Sequence, residues 1–137
     1  MNLFLEIITP EKVVYKDEVE EVVAPTINGE IAILPNHINL LTQINPGELI
    51  VKKGSIQQYL AITGGFLEVK DNKISVIADY AIKAQDIEVA RATEAKKRAE
   101  KVMNEKISNN ELKIAQGELI KAILELKVAN RHHRRSN

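Results

Sequence analysis

The hydrophobic rhythm of this chain changes once, near Asp79, and that change restricts what it can fold into. Before it come short apolar runs, each cut off by a turn signal: "LFLEIIT" by Pro10, "KVVY" by "KDE", "VEEVVAP" by "TINGE", "EIAIL" by "PNH", "NLLTQI" by "NPGE" and "LIVKK" by Gly54. "IQQYLAIT" is followed by Gly64-Gly65 and "FLEV" by Lys70-Asp71-Asn72, and "ISVIAD" closes the series. Runs of this kind read as strands, and Asn28-Gly29 is a hairpin dipeptide. About nine short strands with no long helical segment among them favour a β-sandwich or barrel over βαβ units.

Beyond Asp79 the apolar step becomes helical. Ala92, Ala95, Ala99 and Val102 share one face; Leu112, Ala115, Leu119, Ala122, Leu126 and Ala129 form a heptad-like seam. Asp86 suits the N-cap of the first helix, with Glu88 in its first turn. Ser108 and Glu111 fit a capping box at the start of the second. So short a connection predicts an antiparallel helical hairpin. Its first seam is mostly alanine and buries little, while Ile114, Ile120, Ile123, Leu124 and Val128 lie off the second seam. A hairpin built this thinly is marginally anchored and can change partners.

Charge follows the same division. Residues 1–85 carry eleven acidic and seven basic groups, while residues 86–137 carry eight and twelve, including all five arginines. The neutral total therefore hides two modules of opposite sign, 1–85 and 86–137. With no cysteine there is no disulfide framework or thiol chemistry. No apolar run reaches the ~18 residues of a membrane span. "MNLFLEIITPEK" lacks the basic n-region and small-residue cleavage site of a secretory signal.

No catalytic or metal constellation is predicted. His37 has no histidine, serine or cysteine partner in its segment and reads as a turn or interface residue. Gly64-Gly65 opens no helix and precedes no Gly-Lys-Ser/Thr, so it reads as a tight bend. Glu18, Glu20 and Glu21 alternate across a strand and read as a solvated edge. The tail "RHHRRSN" lacks interleaved aromatics and reads as a frayed terminus rather than a nucleic-acid contact.

Three segments in register resemble one family. "NGEIAILPNHINLLTQINPGEL" (Asn28–Leu49), "ITGGFLEVKDNKISVIADYAIKAQDI" (Ile62–Ile87) and "IEVARATEAKKRAE" (Ile87–Glu100) are similar to the bacterial type of the epsilon subunit of F-type ATP synthases. The resemblance runs from Leu3 to about Ala129. It implies an α+β fold: an N-terminal antiparallel β-sandwich of about ten strands, then a C-terminal antiparallel two-helix hairpin. It implies a non-catalytic subunit with no active site of its own, peripheral on the cytoplasmic side of the cell membrane, and contacting no nucleic acid. It couples the rotor ring to the catalytic sector within the central stalk. The implied partners are the gamma subunit and rotor ring for the β-domain, with Glu30 and His37 at those contacts. The alpha and beta subunits would meet the helices, which restrain ATP hydrolysis.

No cofactor is required by the resemblance, but some members bind ATP through an I/L-D-x-x-R-A motif. The matching positions here are Ile87, Glu88, Arg91 and Ala92, with Arg98 one helix face further on. Glutamate stands where the motif has aspartate, and the second helix offers Lys121 and Glu125 where tight binders have arginines. Lysine lacks the bidentate fork and glutamate repels phosphate, so the expected binding is weak and regulatory.

Overall fold

The computed structural model describes residues 2–136. They divide into two compact units, Met1–Lys83 and Ala84–Asn137.

The first unit is built from eight strands: β1 (Leu3–Ile8), β2 (Val13–Val19), β3 (Glu21–Thr26), β4 (Gly29–Ile33), β5 (Leu40–Gln43), β6 (Gly47–Lys53), β7 (Ile56–Lys70) and β8 (Lys73–Lys83). Their order is β2-β1-β8-β7-β6-β3-β4, with β5 also on β7. The two long strands explain the architecture. They pair from Leu60 opposite Lys83 to Lys70 opposite Lys73. One half of the pair carries β1, β2 and β5; the Ile56–Ile62 half of β7 carries β6, and through it β3 and β4. Each long strand thus belongs to two layers, and counting segments by layer gives about ten, the number expected of this sandwich.

Gly64 and Gly65, at φ of 54° and 107°, make that passage between layers. A Cβ on Gly65 would run into the Ile77 carbonyl oxygen and lie 2.8 Å from Ala78 Cα. Only glycine fits, since positive φ costs it nothing and the neighbouring backbone leaves no room. "IQQYLAIT" and "FLEV" are therefore one bent strand, not two strands around a turn. Pairing is antiparallel except between β1 and β8, which run parallel. These two lie at opposite ends of the unit's sequence, so no hairpin dictates their relative direction.

Alternation places Leu3, Leu5, Ile7, Leu67, Val69, Ile74 and Val76 inward from one layer. Val22, Ala24, Ile33, Leu49, Val51, Leu60 and Ile62 face inward from the other, and all join one aliphatic core. The hairpin between β3 and β4 closes one residue earlier than its Asn-Gly pair suggests. Thr26 sits opposite Gly29, Ile27 and Asn28 form the loop, and Gly29 takes the positive φ of 105°. The Thr26 hydroxyl donates to the Gly29 carbonyl (2.6 Å) and accepts from the Asn28 amide (3.2 Å).

The second unit holds a 3₁₀ turn at Ala84–Asp86, then α1 (Val89–Met103) and α2 (Asn109–Ser136). Glu88, not Asp86, is the N-cap of α1, and it makes no side-chain capping bond. Asp86 is consumed by the 3₁₀ turn, in which the Ile87 amide bonds the Ala84 carbonyl at 3.2 Å. The α2 cap forms half of the expected box: the Glu111 amide donates to Ser108 Oγ (3.2 Å), but the Glu111 carboxylate accepts from that hydroxyl (3.1 Å) rather than from the Ser108 backbone amide. An α1 of this length is about 22 Å long. The link 104–108 spans less than about 18 Å, so two packed helices so joined run antiparallel. Ala92 and Ala99 of α1 and Ala115, Ala122 and Ala129 of α2 are buried at seven-residue spacing.

The basic tail departs from its expectation. Arg131–Ser136 continue α2, and His133, Arg134 and Arg135 occupy its last turn, where cations complement the helix dipole. Asn137, also in that tail, lies outside the described residues.

Candidate functional site

The motif residues at the start of α1 separate into two groups. Ile87 (8% exposed) and Ala92 (4%) are buried, so they serve packing. Glu88, Arg91 and Arg98 face solvent. Arg91 Nε lies 3.8 Å from Glu88 Oε2, an i,i+3 pair with both side chains mostly exposed, worth a few tenths of a kcal/mol at best. Seven residues separate Arg91 from Arg98, which places both on one side of the helix. A groove of about 660 Å³ opens within this unit, lined by Gln85, Ile87, Val89, Leu126, Asn130 and His133 among others. Ile87 reaches it; neither Arg91 nor Arg98 lines it. Of the motif residues Ile87 alone lines the groove, and the cations Arg91 and Arg98 lie outside it.

Glu30 is an exposed residue of β4, opposite Pro25 and just past the β3–β4 turn. His37 sits in the loop between β4 and β5. Its amide donates to the Leu34 carbonyl (3.1 Å), and its Nδ1 lies 2.7 Å from the Ile38 carbonyl, which requires the ring proton on Nδ1. A ring nitrogen so used orients a turn. The acidic group at the β2–β3 junction does not converge: Glu18 accepts from Asn2 (3.0 Å) and Glu21 pairs with Lys52 (3.4 Å). Among the described residues there is no cluster of three or more potential metal ligands, and no helix is long and apolar enough to cross a membrane.

What sequence reasoning missed is an apolar surface. Strand register aligns Phe66 of β7, Ile77 of β8, Ile8 of β1 and Val13 of β2 in one row across four strands. Phe66 is 56% exposed, Ile77 63% and Val13 52%. Beside this row, Leu41, Glu68, Ser75, Glu6 and Lys16 form a second, with Glu6 between Lys16 (3.8 Å) and Lys73 (4.0 Å). Leu41 is exposed, and Ile38 in the β4–β5 loop is the most exposed large apolar side chain among the described residues (79%). A signal was present: Phe66 and Ile77 are apolar but out of phase with their buried neighbours Leu67 and Val76. Continuous exposed apolar rows with polar flanks mark surfaces that bind proteins.

A β-sandwich carrying an apolar face and an exposed loop, followed by a thin charged hairpin, defines a protein that works through its surfaces, by binding. The comparisons name the group. The family described as "ATP synthase, Delta/Epsilon chain, beta-sandwich domain" matches residues 2–84, and its "long alpha-helix domain" matches residues 85–130. An ATP synthase epsilon chain from Dehalococcoides mccartyi is 44% identical over 134 residues, 97% of this chain and 96% of that one. One from Desulforamulus reducens is 46% identical over 125 residues, 91% and 95% of the two chains. The fold is similar to a chain in the Euglena gracilis mitochondrial ATP synthase, OSCP/F1/c-ring (TM-score 0.67, 18% identity), covering 99% of this chain and 82% of that one. It is also similar to one in the Tetrahymena thermophila mitochondrial ATP synthase central stalk/c-ring (TM-score 0.66, 18% identity, 94% and 97% covered). The chain belongs to the ATP synthase epsilon-chain family.

Proposed function

We propose that the chain works as a non-catalytic subunit of the central stalk, peripheral to the cytoplasmic side of the cell membrane, with residues 1–85 as anchor and 86–137 as brake. The observation that carries the anchor is a complete aliphatic core beneath an outward apolar row, Phe66-Ile77-Ile8-Val13. That unit has no folding reason to expose the row, so the row is kept for a partner, and the gamma subunit is the partner proposed. The exposed Ile38, with Glu30 and His37, is the proposed contact to the rotor ring.

The brake reading rests on the hairpin's alanine seam and its cations. An element held by small side chains is separated from an alternative packing by only a few kcal/mol, enough for a switch. Extended, it presents Arg91 and Arg98 to an acidic surface of the alpha and beta subunits. The same two arginines are the proposed place of weak ATP contact, which would favour the folded hairpin. Their exposure, and the Glu88 carboxylate beside Arg91, argue for low affinity.

The test adds the full chain, a version ending at Gln85, and Phe66→Asp to a catalytic sector stripped of its own epsilon chain. Both lengths should co-sediment, and only the full chain should slow ATP hydrolysis. Phe66→Asp should weaken co-sedimentation about tenfold or more, since a charge in an apolar contact is left unpaired. Relief of inhibition by ATP that disappears in Arg91→Ala would support the nucleotide contact. Co-sedimentation unchanged by Phe66→Asp would sink the anchor reading.

A further inference from the structure

The loop from Leu34 to Asn39 is tied to the turn joining β7 and β8, which is distant in sequence. Asp71 and Asn72, at φ of 50° and 62°, form the two-residue turn between Lys70 and Lys73. Both residues at positive φ make it type I′, in which the second position strongly favours glycine. Asn72 occupies that position, and its side chain is put to use. Its Oδ1 accepts from the Asn36 backbone amide at 2.6 Å, and its Nδ2 reaches Asn36 Oδ1 at 3.4 Å. The Asp71 amide donates to Asn39 Oδ1 (3.3 Å), while the Asn72 carbonyl takes the Phe4 amide of β1 (2.9 Å). Asn36 itself stands at φ 67°, another position where glycine would be the easier residue.

We propose that Asn72 is a positioning residue for the β4–β5 loop, its side-chain amide latching Asn36 so that Ile38 and His37 are presented to the rotor ring in a fixed arrangement. This rests on the reading of that loop as the ring contact. The physical reason is pre-organisation: a loop already held in its bound shape loses less conformational freedom on docking. The turn gives up its easiest residue and gains a bond to a segment thirty-six positions away.

Asn72→Gly tests this with little risk to the fold, because glycine suits the type I′ turn better than asparagine does. In the full-length chain, the Asn36 amide should exchange with solvent about tenfold faster or more once its acceptor is gone. Affinity for the purified, detergent-solubilised rotor ring should fall about fivefold to tenfold, while the unfolding midpoint stays in place. Asn72→Asp keeps an oxygen acceptor for the Asn36 amide and should restore both readouts. Faster exchange with unchanged ring affinity would overturn the positioning role. So would a loss of affinity matched by a lower unfolding midpoint and not rescued by aspartate, which would make Asn72 a purely structural residue. Ile38→Asp separates the two layers of the argument: if it too leaves ring binding intact, the loop is not the ring contact and that reading fails first.

Discussion

The two units of this chain bury very different side chains. The largest fully buried residues, among them Leu3, Leu5, Ile7, Leu49, Leu60, Ile62 and Ile74, all belong to the β-unit. In the helices the buried residues are mostly small, Ala92, Ala99, Ala115, Ala122 and Ala129, with Leu124 and Val128 the larger exceptions. Burial contributes about 25 cal/mol per Å² of apolar surface. A leucine therefore contributes several times what an alanine does, and the β-unit holds most of the apolar stabilisation of the two. The difference suits the proposed division of labour, since an anchor needs one deep minimum and a brake needs two shallow ones.

Leu60→Ala is the largest expected effect, because Leu60 is fully buried in the β-core. It should lower β-unit stability by about 3 kcal/mol, the transfer loss plus the cavity. In urea titrations followed by far-UV circular dichroism, helical signal should be lost before β signal, and only the later step should move. A single transition shifting as a whole would break the comparison, making the hairpin as firmly held as the sandwich. Ala99→Leu is next. Ala99 is 1% exposed, and the added volume at a close-packed seam should cost about 2 kcal/mol in the helical step alone. In the hydrolysis assay this variant should inhibit more strongly, since it destabilises the folded hairpin relative to the extended one. Weaker inhibition would reverse the proposed direction of the switch.

The same contrast decides what could be read in advance. The β-unit strands were legible because alternation marks a half-buried surface, and the helices because their apolar step has the right period. Gly64-Gly65 misled, since positive φ reads as a turn in one dimension although the pairing of β7 with β8 continues past it. The motif at α1 was legible as letters but not as geometry. The helical period already put Ala92 on the apolar face, but nothing in "IEVARA" says that Ile87 is buried in a groove that Arg91 does not reach. The apolar row needed register across four strands, and the Asn36–Asn72 bond needed the fold itself.

The smallest effect concerns Asp17 of β2 and Lys53 of β6, a 2.7 Å ion pair on the surface of the β-unit. The hydrogen bond from Lys53, then the Glu18 amide, hold the Asp17 carboxyl below its usual value of 3.8, and Asp17 raises Lys53 above 10.5. Tyr15 nearby is raised above 10.0, first by burial and then by the Asp17 charge. A depressed carboxyl contributes stability that is present above its unfolded value and lost as pH falls through the folded one. A raised ammonium contributes below its unfolded value and loses that contribution as pH rises through the folded one, and the raised tyrosine acts in the same direction. The pair is therefore intact from about pH 4 to about pH 10. Asp17→Asn should lower the urea midpoint of the β step slightly within that window, and the difference should fade as pH falls through the lowered value of folded Asp17, below which both chains are neutral at residue 17. Because both groups face solvent, about 1 M salt should erase it as well. A difference that survives salt would mean that the pair fixes the edge of β2 against β6 by geometry, and the anchor would owe its rigidity to more than its aliphatic core.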